Sequence, residues 1–218
     1  DSTYILATYL SSDSLVIDTI PIDGKGRFSY VVNPDTLTAY SLYLDQYESA
    51  VVVFADRNDH ITVNGDAQSP DMIKVVGNEV NDALTLFKSE NEDLLKQREL
   101  LLANLRLSSE LDSGNSHSRS RQEELLKLNV LNHELTLRAE ETIKENPAKM
   151  SSLILINSFF VQSDNPTVLE RVLGYMQGEI MESELAMTLK AYSEMINRSA
   201  EGARMPFFTL KDEDGEEI

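Results

Sequence analysis

The residues able to do chemistry in this chain are carboxylate pairs, three histidines and one glycine-lysine turn, and none has the spacing of a reaction centre. Glu123-Glu124, Glu140-Glu141 and Glu182 with Glu184 are neighbouring acids. Acid–base catalysis needs one carboxyl kept protonated by burial beside another that stays ionised. These pairs instead fall in polar or lysine-containing helical stretches, where both partners are solvated. His60, His117 and His133 are scattered over a strand flank, a polar loop and a helix, whereas zinc needs convergent ligands. Gly24-Lys25-Gly26 lacks the third glycine and the Ser or Thr after Lys that a phosphate loop requires, so it reads as a hairpin turn. Asp212-Glu213-Asp214-Gly215 begins like a calcium loop, but its glycine falls two positions too early and the sequence stops before the position of the bidentate Glu, so it reads as a turn. There is no Gly-x-Ser-x-Gly nucleophile elbow, and Asn197-Arg198-Ser199 is a glycosylation sequon by pattern only.

The chain contains no cysteine. It therefore carries no disulfide, thiolate nucleophile or Cys-ligated zinc of its own. No residue is assigned a catalytic, cofactor-binding or metal-ligating role, and no cofactor is expected.

Composition narrows the partners. The formal charge is −18 over 218 residues, which opposes attraction to nucleic acid phosphates. An apolar fraction of 41% is enough for a buried core. No run approaches the roughly 18 consecutive apolar residues of a membrane-spanning helix. The chain opens on Asp1 rather than Met, which points to a processed or trimmed N-terminus, and a removed signal or lipid anchor fits that reading.

Two hydrophobic periods organise the elements. In residues 1–77, short β-branched and aromatic runs alternate with turn residues. The runs predict seven strands: Thr3 to Leu10, Leu15 to Ile20, Arg27 to Val32, Ala39 to Leu44, Ala50 to Ala55, His60 to Asn64 and Met72 to Val76. Asp23-Gly24-Lys25-Gly26 supplies a hairpin connection. Strands without intervening helices predict an antiparallel sandwich or a partly open barrel.

After Gly77 the apolar residues step by three or four, through Val80, Leu84, Phe87, Asn91, Leu94, Arg98, Leu101 and Leu105, widened by Leu95 and Leu102. Asn78 or Asn81 supplies the N-cap. A second helix runs from about Arg119 to Glu145, with Leu125, Leu128, Leu131, Leu135, Ala139 and Ile143 facing inward. The polar stretch between them predicts an αα-hairpin. Asn146-Pro147 breaks the chain, and three shorter helices follow, at about Ala148 to Gln162, Pro166 to Met176 and Ser183 to Arg198, with Asp164 or Asn165 capping the one that starts at Pro166. The fold class is thus α+β, with a β-domain at 1–77, a helical region at 78–198 and a linker with a further segment at 199–218.

That last segment carries a resemblance. Gly202, Pro206, Phe208, Thr209, Leu210, Asp212, Asp214 and Gly215 spell G-x-x-x-P-x-F-T-L-x-D-x-D-G, which resembles the entry to a thioredoxin-like domain of the TlpA, ResA and alkyl hydroperoxide reductase type. Upstream, the Ser14 to Thr19 run, Asp23 to Tyr30, Tyr40-Ser41-Leu42, Asp59 to Asp66 and Gly77-Asn78 with Asn81 are similar to the β-domain of unknown function that precedes such a domain in Bacteroidetes envelope oxidoreductases. Family marks there are D-G-x-F-x-F, I-T-V-x-G-D and G-S/N-x-x-N. Gly26 is an extra residue in the first, and Asn78 stands where Ser is usual in the last.

The resemblance implies a periplasmic or envelope location, with a removed lipoprotein signal as a tether. It also implies a covalently linked thioredoxin-like domain beyond Ile218 that holds the reactive cysteines. This chain would then be its non-catalytic accessory or substrate-positioning region. The alternative is an independent envelope module that binds a protein, peptide or glycan. A self-contained hydrolase has no constellation in its favour. The leucine-rich 78–145 region has two open roles, either packing within the chain or forming a surface for a protein substrate or a homodimer.

Overall fold

Alternating apolar residues place two β-ladders at the front of the chain. A computed structural model describes residues 4–11, 14–44, 50–111, 118–162 and 165–199, with the side chains of 108–111, 118–120, 166 and 199 set aside. Strands β1 (Tyr4–Ser11), β2 (Ser14–Pro21), β3 (Thr38–Tyr43) and β4 (Ala50–Ala55) form an antiparallel sheet in the order β2-β1-β3-β4. A second antiparallel ladder pairs β5 (Thr62–Asn64) with β6 (Lys74–Val76). The larger sheet has two edge strands, so it does not close into a barrel.

Register sorts the side chains. Ile5 lies opposite Ile20, Ala7 opposite both Asp18 and Leu42, and Tyr40 opposite Val53. Because strand side chains alternate, Ile5, Ala7, Ile20, Tyr40, Leu42, Val51, Val53 and Ala55 share one face, and all are buried in a core that also takes in Ile73 and Val75. Each such aliphatic side chain contributes about 1.5–3 kcal/mol on burial.

The predicted third strand is absent. Arg27 to Val32 joins no ladder, so six strands form among the described residues where seven were predicted. Phe28, Tyr30 and Val32 nevertheless turn inward in alternation and pack on the core. The Asp23 carboxylate explains how the segment is launched. Its Oδ1 accepts from Lys25 N and Arg27 N at 2.9 Å each, and Gly26 takes φ 75°. The chain leaving the turn packs Phe28, Tyr30 and Val32 on the core without pairing to a strand.

Among the described residues six helices follow: α1 (Glu79–Glu90), α2 (Glu92–Leu111), α3 (Ser118–Glu145), α4 (Met150–Phe160), α5 (Pro166–Leu173) and α6 (Glu184–Ser199). A short 3₁₀ turn at Pro70–Met72 precedes β6, and another at Glu179–Glu182 precedes α6. The single helix predicted after Gly77 is two, broken at Asn91. Asn91 is buried, and its Nδ2 donates to the Phe87 carbonyl at 2.8 Å, beside its own backbone N–H at 3.2 Å. An Asn side chain that bonds back to the preceding turn competes with helix continuation. Along α3, Leu135, Ala139 and Ile143 are buried as predicted and Leu128 and Leu131 half-buried, but Leu125 is exposed.

The chain divides into two compact units. One comprises residues 1–142 with 149–151, the other 143–148 with 152–218. The second is helical among its described residues and centred on Leu153, Ile156, Phe160, Leu169, Val172 and Leu189. Its α5 begins as predicted, with Asn165 Oδ1 accepting from Thr167 N at 3.1 Å and Pro166 in the first turn. Among the described residues, no helix is long and apolar enough to cross a membrane.

Candidate interaction surface

The acids and histidines singled out from the sequence are not brought together. On α3, Glu140 is buried while Glu141 is exposed, and His60 and His133 are exposed on separate elements. His117 and the Asp212 to Gly215 turn lie outside the described residues, as does the whole thioredoxin-like entry segment. Among the described residues, no group of three His, Cys, Asp or Glu could hold a metal ion.

A cluster that pairs phenols with a carboxylate lies on the inner face of the sheet. The Tyr30 hydroxyl donates to Asp18 Oδ2, and the Tyr9 hydroxyl reaches the same oxygen at 3.5 Å. Tyr9 and Tyr30 flank Tyr40, with ring centroids 4.8 and 6.5 Å from its own. Burial, reinforced by the Asp18 carboxylate, pushes the Tyr30 phenol above its ordinary range, and burial does the same to Tyr40. Tyr30, held protonated in this way, donates to Asp18 and ties its segment to the sheet. Such phenols are not nucleophiles.

The helices are anchored by side chains that substitute for a strand. Phe54 N–H donates to Asn81 Oδ1 at 3.1 Å, and Asn81 Nδ2 donates back to the Phe54 carbonyl at 2.6 Å. One turn later, Thr85 Oγ1 donates to the Val75 carbonyl at 2.6 Å and accepts from Val75 N at 3.1 Å. Positions i and i+4 share a helix face, so α1 satisfies backbone groups on β4 and β6 at once. Asn78 is the N-cap, accepting from Asn81 N at 2.9 Å, and its Nδ2 donates to Phe54 O at 2.9 Å and Asp59 Oδ2 at 2.6 Å. The Asn78 amide, then the Asp56 N–H, hold the Asp59 carboxyl below the usual carboxylate range. Farther on, Arg98 joins α2 to Asp71 at 2.9 Å and to Asn132 of α3 at 3.0 Å.

What these anchors leave outside is apolar. On the sheet face opposite the core, Leu10 and Leu15 lie opposite each other and Ile17 lies opposite Thr8, and all three apolar side chains are at least 60% exposed. Val52 of β4 is exposed on the same face. On α2, Leu100 and Leu107 are exposed seven residues apart. On α3, Leu126 and Val130 are 65% and 66% exposed and Leu137 is 48% exposed. The sequence reading missed the sheet's outer face. Its signal was the unbroken apolar run Leu15-Val16-Ile17, which a strand with one solvated face does not need.

In the second unit, α5 and α6 flank an open groove of about 550 Å³ lined by Glu170, Leu173, Lys190, Ser193, Glu194 and Asn197. Several of its polar groups are already paired. Asn197 Nδ2 donates to Glu170 at 3.0 Å, and Lys190 Nζ to the Met181 carbonyl at 3.2 Å. Groups already paired in this way do not converge on a ligand.

In the first unit the anchored helices and the sheet leave bare apolar faces, and no reaction centre is assembled among the described residues. No protein family, no curated protein and no solved structure matches the chain.

Proposed function

We infer that this chain is the non-catalytic accessory region of an envelope thiol-disulfide oxidoreductase, one that positions a protein substrate for a redox-active thioredoxin-like domain encoded beyond Ile218. The observation that carries the reading is the terminal P-x-F-T-L-x-D-x-D-G in a chain with no cysteine. The exposed leucines of α2 and the bare face of the β1–β4 sheet support it, since a surface that handles polypeptide needs apolar area. In the finer architecture that goes with this reading, the sheet is one layer of a sandwich, and α2 and α3 are the arms of a helical hairpin tied by Arg98 and Asn132. The location is the periplasm or envelope, with a lipid tether upstream of Asp1.

Reading the coding sequence past Ile218 tests this. A Cys-x-x-Cys or single-Cys helix start is expected within the next domain, and a stop codon directly after Ile218 refutes it. The exposed Leu10, Leu15 and Ile17 also favour the second reading, an independent binding module. That reading predicts capture of an envelope partner by the isolated chain, and capture lost on replacing Leu15 and Ile17 with Ser distinguishes it.

A further inference from the structure

Three exposed apolar residues of α3 fall on one line with His133, while Leu125, also exposed, lies off it. Leu126, Val130, His133 and Leu137 are spaced by four, three and four residues and are exposed or nearly half-exposed along one line. They lie on the side of the helix opposite Leu135 and Ala139, which are buried. Four-three-four spacing is the seam of a two-helix coiled coil, yet α3 turns this seam away from the rest of its unit. The helix is therefore amphipathic twice, once inward and once outward.

The residues flanking the seam identify the occupant. Lys127 and Glu134 occupy the same flanking position one heptad apart; both side chains reach solvent, and the Glu134 carboxylate lies 3.9 Å from Arg138, a long, exposed pair that leaves it open to a second cation. The flanking positions on the other side carry Gln122, Asn129 and Thr136, which are uncharged. In a parallel pair, Lys127 and Glu134 would each meet those neutral residues. In an antiparallel pair, like flanks meet, so Lys127 faces the second copy's Glu134 and its Glu134 faces Lys127. The same arrangement sets Leu126 against the second copy's Leu137 and Val130 against its His133. Two opposite charges arranged symmetrically about one point make a self-complementary patch, as a two-fold interface requires.

We propose that α3 is a homodimerisation helix, packing antiparallel on α3 of a second copy about a two-fold axis near residues 131–132. The seam spans about three turns, or roughly 16 Å of helix. That is shorter than a standard interface, so association is weak and concentration-dependent. Lys127 and Glu134 set orientation and register more than affinity.

Sedimentation equilibrium of the whole 218-residue chain between about 10 μM and about 1 mM tests the proposal. A monomer–dimer equilibrium is expected, abolished by Val130→Asp with helix content unchanged because the site is exposed. Lys127→Glu and Glu134→Lys should each weaken the dimer roughly tenfold, and the double exchange should restore it. Since the chain has no native cysteine, single-cysteine variants report orientation cleanly. An equimolar mixture of Leu126→Cys and Leu137→Cys should oxidise to the mixed disulfide, while Leu126→Cys alone should not cross-link. A chain that stays monomeric throughout overturns the proposal and leaves the seam to a partner of different sequence. A Leu126→Cys homodisulfide, a dimer indifferent to Val130→Asp, or failure of the double exchange to restore association also overturns it.

Discussion

The carboxamide of Asn81 satisfies both backbone polar groups of Phe54, accepting from its N–H at 3.1 Å and donating to its carbonyl at 2.6 Å. A strand neighbour would make the same two bonds, but here one side chain, 27 residues along the chain, makes them from a helix. Asn81 is 2% exposed, so its carboxamide depends on Phe54 for these bonds. The β-region and the helices are joined by directional bonds as well as by apolar contact.

Asn81→Leu should therefore be among the most damaging substitutions in the first unit. It strands a buried N–H and removes one of the carbonyl's partners, at a cost of about 1–3 kcal/mol. Asn81→Asp keeps the acceptor for Phe54 N–H but loses the donor and sets a carboxylate oxygen against the Phe54 carbonyl. It should be no better tolerated. Urea unfolding midpoints compare the two with wild type, and a shift of less than about 0.5 kcal/mol in Asn81→Leu contradicts the clamp.

Gly77 stands at the start of this junction with φ 128°, and a Cβ there would meet the His60 carbonyl oxygen at 2.1 Å. Gly77→Ala is expected to destabilise by at least about 2 kcal/mol, since both backbone strain and a clash with main chain oppose it. Gly24→Ala is the control. Nothing lies within 4 Å of its added carbon, so a change within about 0.5 kcal/mol is expected. Denaturant midpoints of the pair separate a required glycine from a permissive one.

The Asp59 carboxyl, held low by Asn78 and the Asp56 N–H, makes the junction sensitive to acid. A carboxyl with a depressed folded value contributes stability that is present above its unfolded value, near pH 4, and is lost as pH falls through the folded value. Unfolding free energy should thus decline below about pH 4. Asn78→Ala should raise the Asp59 pKa toward the ordinary carboxylate range and flatten that part of the decline. It should also remove the α1 N-cap, costing about 1 kcal/mol at neutral pH. Carbon-detected NMR titration of Asp59 reads the first effect and urea unfolding the second.

Tyr30 should stand out in alkaline titration. Burial and its bond to Asp18 raise its phenol, so stability from this group is complete below the unfolded tyrosine value, near pH 10. It is lost as pH rises from there through the folded value. Ultraviolet titration of the eight tyrosines should show a fraction that ionises late. Tyr30→Phe should reduce that late fraction and destabilise the chain by about 1–3 kcal/mol, because a charge-assisted hydrogen bond is lost. An unchanged late fraction refutes the assignment.

Features decided by a side chain and its nearest backbone were legible in the sequence. Asn165 was one of two caps named for α5, ahead of Pro166, and Asn78 one of two named for α1. Arg27 to Val32 misled because alternation reports which way side chains point. It does not report whether the backbone finds a partner, and Phe28, Tyr30 and Val32 alternate without one. Asn91 was hidden for a related reason. Sitting among leucines it fits a helical stripe, and only its bond to Phe87 O shows the helix ending there. On α3, apolar residues occur on more than one side. Periodicity picks out the wider face, so Leu125 was assigned inward and the Leu126, Val130 and Leu137 line passed unnoticed. The clamp from Asn81 was illegible in principle, since nothing in a sequence records that a carboxamide will meet a strand 27 residues away.

The position of α1 also gives the larger sheet a direction of growth. With Asn81 seated on Phe54, a new strand approaching β4 would have to displace a buried side chain. β2, the opposite edge, has no strand on its far side among the described residues. Strand addition, whether by a client polypeptide or in unwanted aggregation, is thereby channelled to Ser14–Pro21. Asp18 stands in the middle of that edge with its carboxylate turned inward. An incoming strand must match an inner face already committed to a charge and two hydroxyls, and that restricts which sequences the open end will accept.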